Sequence, residues 1–195
     1  MNTKSLVIGG VVGIIIGVLV YPALFSQNKS VQTKIMASRV DNHFIEQMIP
    51  HHEGAIDMAK VALEKAKHPE LKTLAQNIIA AQTKEIGDMK GWYKTWFGVD
   101  VPAGTGHMMN GQMMGGSMMH MGSMAGDMDT LKNAKDFDLE FIRQMIPHHE
   151  LAVMMAQMLQ GTTDRPEMKQ LAQNIIDSQT KEIEMMRGWM IAWSK

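Results

Sequence analysis

Between residues 41 and 66 the apolar positions recur with a helical period. At 100° per residue, Phe44, Ile45, Met48, His51, His52, Ala55, Met58 and Ala59 fall on one broad face, and Glu53 points away from it. Asp41 stands where a short polar side chain caps a helix N-terminus. Pro50 lies inside the stretch. An interior proline removes one backbone hydrogen bond and costs about 3 kcal/mol unless accommodated, so a kink or a helix restart is expected there. His68-Pro69-Glu70 reads as a turn with proline in the first turn of a second helix, which runs to about Phe97. On its inner arc fall Leu74, Ile78, Gln82, Glu85, Met89, Trp92 and Trp96, with the two tryptophans as core anchors. A carboxylate on such an arc needs a partner.

The same pattern returns 97 residues later without a gap. Phe44 to Glu53 reappears as Phe141 to Glu150 with its proline at Pro147, and Leu74 to Ile79 reappears as Leu171 to Ile176. Gln82-Thr83-Lys84-Glu85-Ile86 matches Gln179-Thr180-Lys181-Glu182-Ile183, and Met89, Gly91, Trp92 and Trp96 fall on Met186, Gly188, Trp189 and Trp193. A self-match in one register reads as an internal duplication. Four helices with one apolar face each are most simply buried against one another, so the pattern predicts an all-α four-helix bundle made of two helical hairpins, 41–97 and 137–195. The connection between them, 98–136, carries no helical period. Its centre is Met/Gly/Ser low complexity in which glycine and serine supply flexibility, and it is expected to order only on binding something.

The N-terminal pattern is different in kind. After Met1-Asn2-Thr3-Lys4, residues Leu6 to Phe25 are uncharged and mostly apolar, a run of about 20 that is long enough to span a bilayer. Val20 to Ser26 offers no convincing small-x-small cleavage site, so 1–26 reads as an uncleaved transmembrane anchor in preference to a cleaved export signal, with 27–40 a polar tether.

Composition changes the picture in two places. The net charge of -1 argues against a nucleic-acid partner. The chain holds 22 methionines and no cysteine, which is more thioether than core filling needs and excludes both disulfides and thiolate metal sites. Outside the cytoplasm, where thiols risk oxidation, thioethers are the soft ligands that last.

Two groups of residues could carry chemistry. The first is Met48, His51, His52, Glu85 and Met89 with the copy Met145, His148, His149, Glu182 and Met186. Spacings of three and four residues present a thioether and two imidazoles on one side of a helix, which suits a metal. The same residues also suit a metal-free network in which Glu85 hydrogen-bonds a buried histidine and the methionines pack. The second is the loop set His107, Met108, Met109, Met113, Met114, Met118, Met119, His120, Met121 and Met124. Glycine and serine between these methionines rule out amphipathic packing. Clustered neutral sulfur suits Cu(I), in preference to Cu(II), and its relative Ag(I). A Met-rich surface that grips a protein partner is the alternative for the loop.

The Met48-Ile49-Pro50-His51-His52-Glu53 stretch and its copy at 145–150, the Gln-Thr-Lys-Glu-Ile segments and the Gly91-Trp92 and Gly188-Trp189 pairs resemble domain of unknown function 305. That family is ferritin-like in fold and includes periplasmic copper-binding proteins. The resemblance covers about 40–97 and 137–195, and its histidine motif falls on Met48, His51, His52, Met145, His148 and His149. It implies an extracytoplasmic helical bundle associated with copper binding and tolerance, and leaves open which of these residues ligate. The Met-rich insert lies outside the family pattern.

The sequence reads as a binding protein, with no catalytic residues, that sequesters or hands on Cu(I). Its expected partners are metal ions, the membrane through its N-terminus, and other copper-handling proteins. A ferritin-like di-iron redox protein is the alternative from another class. Such a site needs Glu-x-x-His pairs and several facing carboxylates, whereas this chain offers His-His-Glu and carries no histidine in its second helix after His68.

Overall fold

A computed structural model describes residues 38–102 and 127–194. The chain divides into two units, 1–39 and 40–195, and nearly all described residues belong to the second. Among the described residues all regular structure is helical. Helix α1 covers 38–65, α2 Pro69–Phe97, α3 Met128–Asn133, α4 Phe137–Gln160 and α5 Pro166–Trp193. The predicted anchor at Leu6–Phe25 and the loop from His107 to Met124 lie outside the described residues. Among those described, no helix is long and apolar enough to cross a membrane.

All eight residues assigned to the inner face of α1 are buried, and Glu53 is exposed. The helix does not restart at Pro50: α1 runs through Pro50 and α4 through Pro147. Neither proline lies on the buried face, and Pro147 is exposed. A proline on the outer side of a helix leaves the packing of its buried side intact. Asp41 does not cap α1. It sits inside the helix, is buried, and accepts a hydrogen bond from Arg165 Nε at 3.1 Å. Both second helices start at proline, Pro69 and Pro166, where the missing N–H costs no helical bond. Gly98 ends α2 at φ 73°, a left-handed turn that lets its N–H reach the Lys94 carbonyl at 3.0 Å.

The described part of the connection contains one helix that hydropathy does not announce. Asp127 caps α3 by accepting from the Thr130 N–H, and Leu131 is its one fully buried side chain, with Met128 partly buried beside it. With one buried residue there is no period to detect.

The core is not continuous. One apolar cluster joins Phe44 to Ile56 of α1 and Ile86 to Tyr93 of α2 with Ala152 to Leu159 of α4 and Met168 to Ile175 of α5. The other joins the end of α1 and the start of α2 with Phe137 to Met145 and Met186. Trp92, Trp96, Trp189 and Trp193 pack against the clusters only partly buried, and Tyr93 takes the deep position expected of a tryptophan. Its hydroxyl explains the exchange: it donates to Glu46 at 2.6 Å and accepts from Asn42 at 2.9 Å.

Candidate metal centre

Between the two apolar clusters every long helix contributes polar residues. α1 supplies His51 and His52, α4 supplies His148 and His149, and α2 and α5 supply Gln82 and Gln179 with Glu85 and Glu182. The four histidines and two glutamines are buried. Helical spacing produces the layer, because one polar turn interrupts an otherwise apolar stripe at the same level on each helix.

The layer has two tiers of histidine. His52 Nε2 lies 2.7 Å from Glu85 Oε2, and His149 Nε2 lies 2.7 Å from Glu182 Oε2. A carboxylate accepts only, so Nε2 carries the proton and donates in each pair. The lone pair is then left on Nδ1, which in both rings is buried with no hydrogen-bond partner. His51 and His148 form the second tier. Their ring centroids are 3.7 Å apart at 43°, so the two halves of the chain meet at these imidazoles. Both nitrogens of His51 are buried without a partner, as are Oε1 of Gln82 and of Gln179. Burial pushes the His51 imidazole well below its ordinary pKa, and the proximity of His148, then of His52 and His149, adds to that. Neutral imidazole is the ligating form.

The sequence candidates separate in space. Glu85 and Glu182 meet the second histidine of each motif, the partner that a carboxylate on the inner arc requires. Met48 and Met89 lie in one apolar cluster and Met145 and Met186 in the other, all fully buried. Among the described residues no three His, Asp or Glu side chains stand ready-grouped around a metal position. The inner arc read from sequence included Gln82 and its copy Gln179, and both are buried, but neither was assigned to the site. Sequence reasoning also did not see that His51 faces His148, because a pattern along one helix cannot say which helix lies opposite.

An unsatisfied buried polar group costs about 1–3 kcal/mol, so a layer with this many orphaned atoms is poor as a stability device. Its donor chemistry fits a metal: carboxylate-oriented imidazoles with partnerless Nδ1 atoms, at the junction of two halves.

Solved structures share the fold. CopM in its Cu(I)-bound form is 50% identical, with TM-score 0.67 over 80% of this chain and 98% of that one. Its Cu(II)-bound form is 54% identical with TM-score 0.69 over 78% and 97%, and CopM has also been solved Ag-bound. A DUF305 fragment from Deinococcus radiodurans is 28% identical with TM-score 0.61 over 77% of this chain and 95% of that one. Uncharacterized protein L153 of Acanthamoeba polyphaga mimivirus is 43% identical over 49 residues, 25% of this chain and 32% of that protein, so the match spans about a third of that relative's length. Residues 41–190 match the domain of unknown function DUF305, and the chain belongs to that family.

Proposed function

We propose that this chain is an extracytoplasmic copper-binding protein that sequesters Cu(I) or hands it on, accepts Ag(I), and serves copper homeostasis and tolerance by binding, not catalysis. The observation that carries the proposal is half-identity across nearly the whole length of CopM, a protein solved with Cu(I), Cu(II) and Ag. The buried imidazole layer supports it chemically. His52 and His149 offer Nδ1 while Glu85 and Glu182 hold their tautomers, and His51 adds two partnerless nitrogens. The layer's carboxylates are engaged with histidines, which suits copper better than a carboxylate-rich di-iron centre. The preference for Cu(I) rests on neutral sulfur, above all in residues 107–128. Placement outside the cytoplasm rests on the apolar run Leu6–Phe25 and the absence of cysteine.

The test is Cu(I) competition against a chromogenic chelator at about pH 7.5 and 5.5, on the full chain and on a chain lacking 107–128. Histidine must lose its proton to ligate and has a reference pKa of about 6.5, whereas a thioether has no proton to lose. Deletion is expected to remove most of the equivalents that survive acid and to leave the acid-labile ones, with helicity unchanged by circular dichroism. No competition by either protein at either pH would overturn the proposal.

A further inference from the structure

Three of the five large hydrophobic side chains exposed among the described residues are methionines, Met154, Met158 and Met185. Met154 and Met158 are 46% and 67% exposed and lie one turn apart on the outer face of α4. Neither helps to hold the core. In the first half the corresponding places are Asp57, which is ion-paired with Lys60 at 2.9 Å, and Val61. These places thus hold a solvated ion pair and a valine packed against the core in one half, and an exposed thioether pair in the other. Glu150, paired with Arg187, bounds it one turn before Met154, and Gln160, bonded to Gln173, bounds it after Met158. Two methionines make a patch far below the roughly 800 Å² per partner of a stable protein interface. A docking face therefore does not explain them.

We propose that Met154 and Met158 form a second, solvent-facing soft-metal site that takes one Cu(I) or Ag(I) between their two sulfurs. Side chains at i and i+4 have Cβ atoms about 6 Å apart, and three rotatable bonds each let two thioethers close on one ion from opposite sides. Low-coordinate Cu(I) and Ag(I) accept two neutral sulfurs, while Zn(II) and Cu(II) favour imidazole or charged ligands. The pair differs from the buried layer in two ways that matter for handing metal on. It is open to water, so the ion exchanges without any opening of the bundle. It also has no proton to lose, so its occupancy is unchanged between about pH 7.5 and 5.5. The site rests on the soft-metal reading of the chain, and its test separates the two.

The full chain, carrying 13C-methyl methionine, is titrated with Ag(I) and followed by the methionine methyl resonances at both pH values. Met154→Leu, Met158→Leu and Met185→Leu assign the exposed signals, and these surface replacements leave the core untouched. The Met154 and Met158 methyls are expected to shift together in a single step at both pH values. Met154→Leu should abolish the shift at Met158, and the Met185 methyl, which has no methionine three or four residues away on its helix, should stay in place. Other methionines moving while this pair stays still, or the pair moving independently of each other, overturns the site and leaves the copper proposal standing. A spectrum in which nothing moves overturns both.

Discussion

The two hairpin turns are clamped to the opposite half of the chain by the same device, built from different residues. At one end Asp138 of α4, 1% exposed, accepts the backbone N–H groups of Lys67 at 3.1 Å and His68 at 2.9 Å, and lies 2.6 Å from His68 Nδ1. The His68 ring stacks on Trp193 at 3.7 Å and 5°. At the other end Asp41 of α1, equally buried, accepts from Arg165 Nε, and the guanidinium lies 3.9 Å over Trp96. Positions 41 and 138, 68 and 165, 96 and 193 correspond in the 97-residue frame. Each end therefore joins an aspartate, a turn residue and a terminal tryptophan. The ends differ in satisfaction. Asp138 serves three donors, whereas Asp41 leaves Oδ1 buried without a partner. The permanent charge of arginine makes the second clamp look stronger on paper. The count of satisfied groups says otherwise, because a buried ion pair offsets desolvation only when its remaining lone pairs are bonded.

The largest expected effect breaks that comparison directly. Asp138→Ala strands two backbone N–H groups and the His68 ring, and is expected to cost about 3 kcal/mol. Asp41→Ala frees Arg165, which is partly exposed and keeps Trp96, and is expected to cost about 1 kcal/mol. Urea denaturation of the two variants measures the difference, and equal losses would mean that charge, not donor satisfaction, sets clamp strength.

A smaller contrast sets the neighbours His51 and His52 against each other. His52→Leu removes the partner of Glu85 and is expected to destabilise the metal-free protein by about 1–3 kcal/mol. His51→Leu removes two partnerless nitrogens and is expected to be neutral or stabilising, by about 1 kcal/mol. Both should lower bound copper. The pH dependence follows from the lowered pKa of His51, which is caused first by burial and next by His148. The unfolded chain protonates this residue near its ordinary value of 6.5 while the folded chain still resists. Stability is therefore complete above that pH and falls as pH drops through it, by up to about 1.4 kcal/mol per unit. His51→Leu should flatten that fall between about pH 7 and 5 when denaturation midpoints are compared. A midpoint for His51→Leu that follows pH as steeply as the parent would show the proton going elsewhere.

The smallest effect sharpens the comparison on the surface. Glu53–Lys90 at 3.4 Å and Glu150–Arg187 at 2.5 Å occupy matching places, with all four side chains about half exposed. Solvent screening and side-chain entropy leave such pairs at 0–1 kcal/mol, so Glu53→Gln and Glu150→Gln should each change stability by less than about 0.5 kcal/mol. A thermal shift of several degrees for either would put surface charge among the forces that hold the halves together.

Much of this arrangement was legible along the chain. The inner face of α1 was readable because a helix buries a stripe whose spacing is fixed by its own geometry, and proline marked both second-helix starts because it fits a first turn. A carboxylate among apolar neighbours at Glu85 announced a buried partner before His52 could be identified as that partner. Asp41 was misread for the opposite reason. An aspartate near a helix start looks the same whether it caps that helix or reaches a turn more than a hundred residues away, and only Arg165 in space distinguishes the two. Tyr93 took the depth assigned to Trp92 and Trp96 because Glu46 and Asn42 satisfy its hydroxyl there.

What the sequence determined by itself is what one helix can express: which residues share a face, where a turn begins, and which side chains are chemically able to bind a soft ion. The meeting of His51 with His148, the division of the methionines between two apolar clusters and the crossed clamps at Asp41 and Asp138 were decided by tertiary structure. The physical reason is range. Helical periodicity is a local consequence of backbone geometry, whereas a contact between helices depends on how several faces fill the same space.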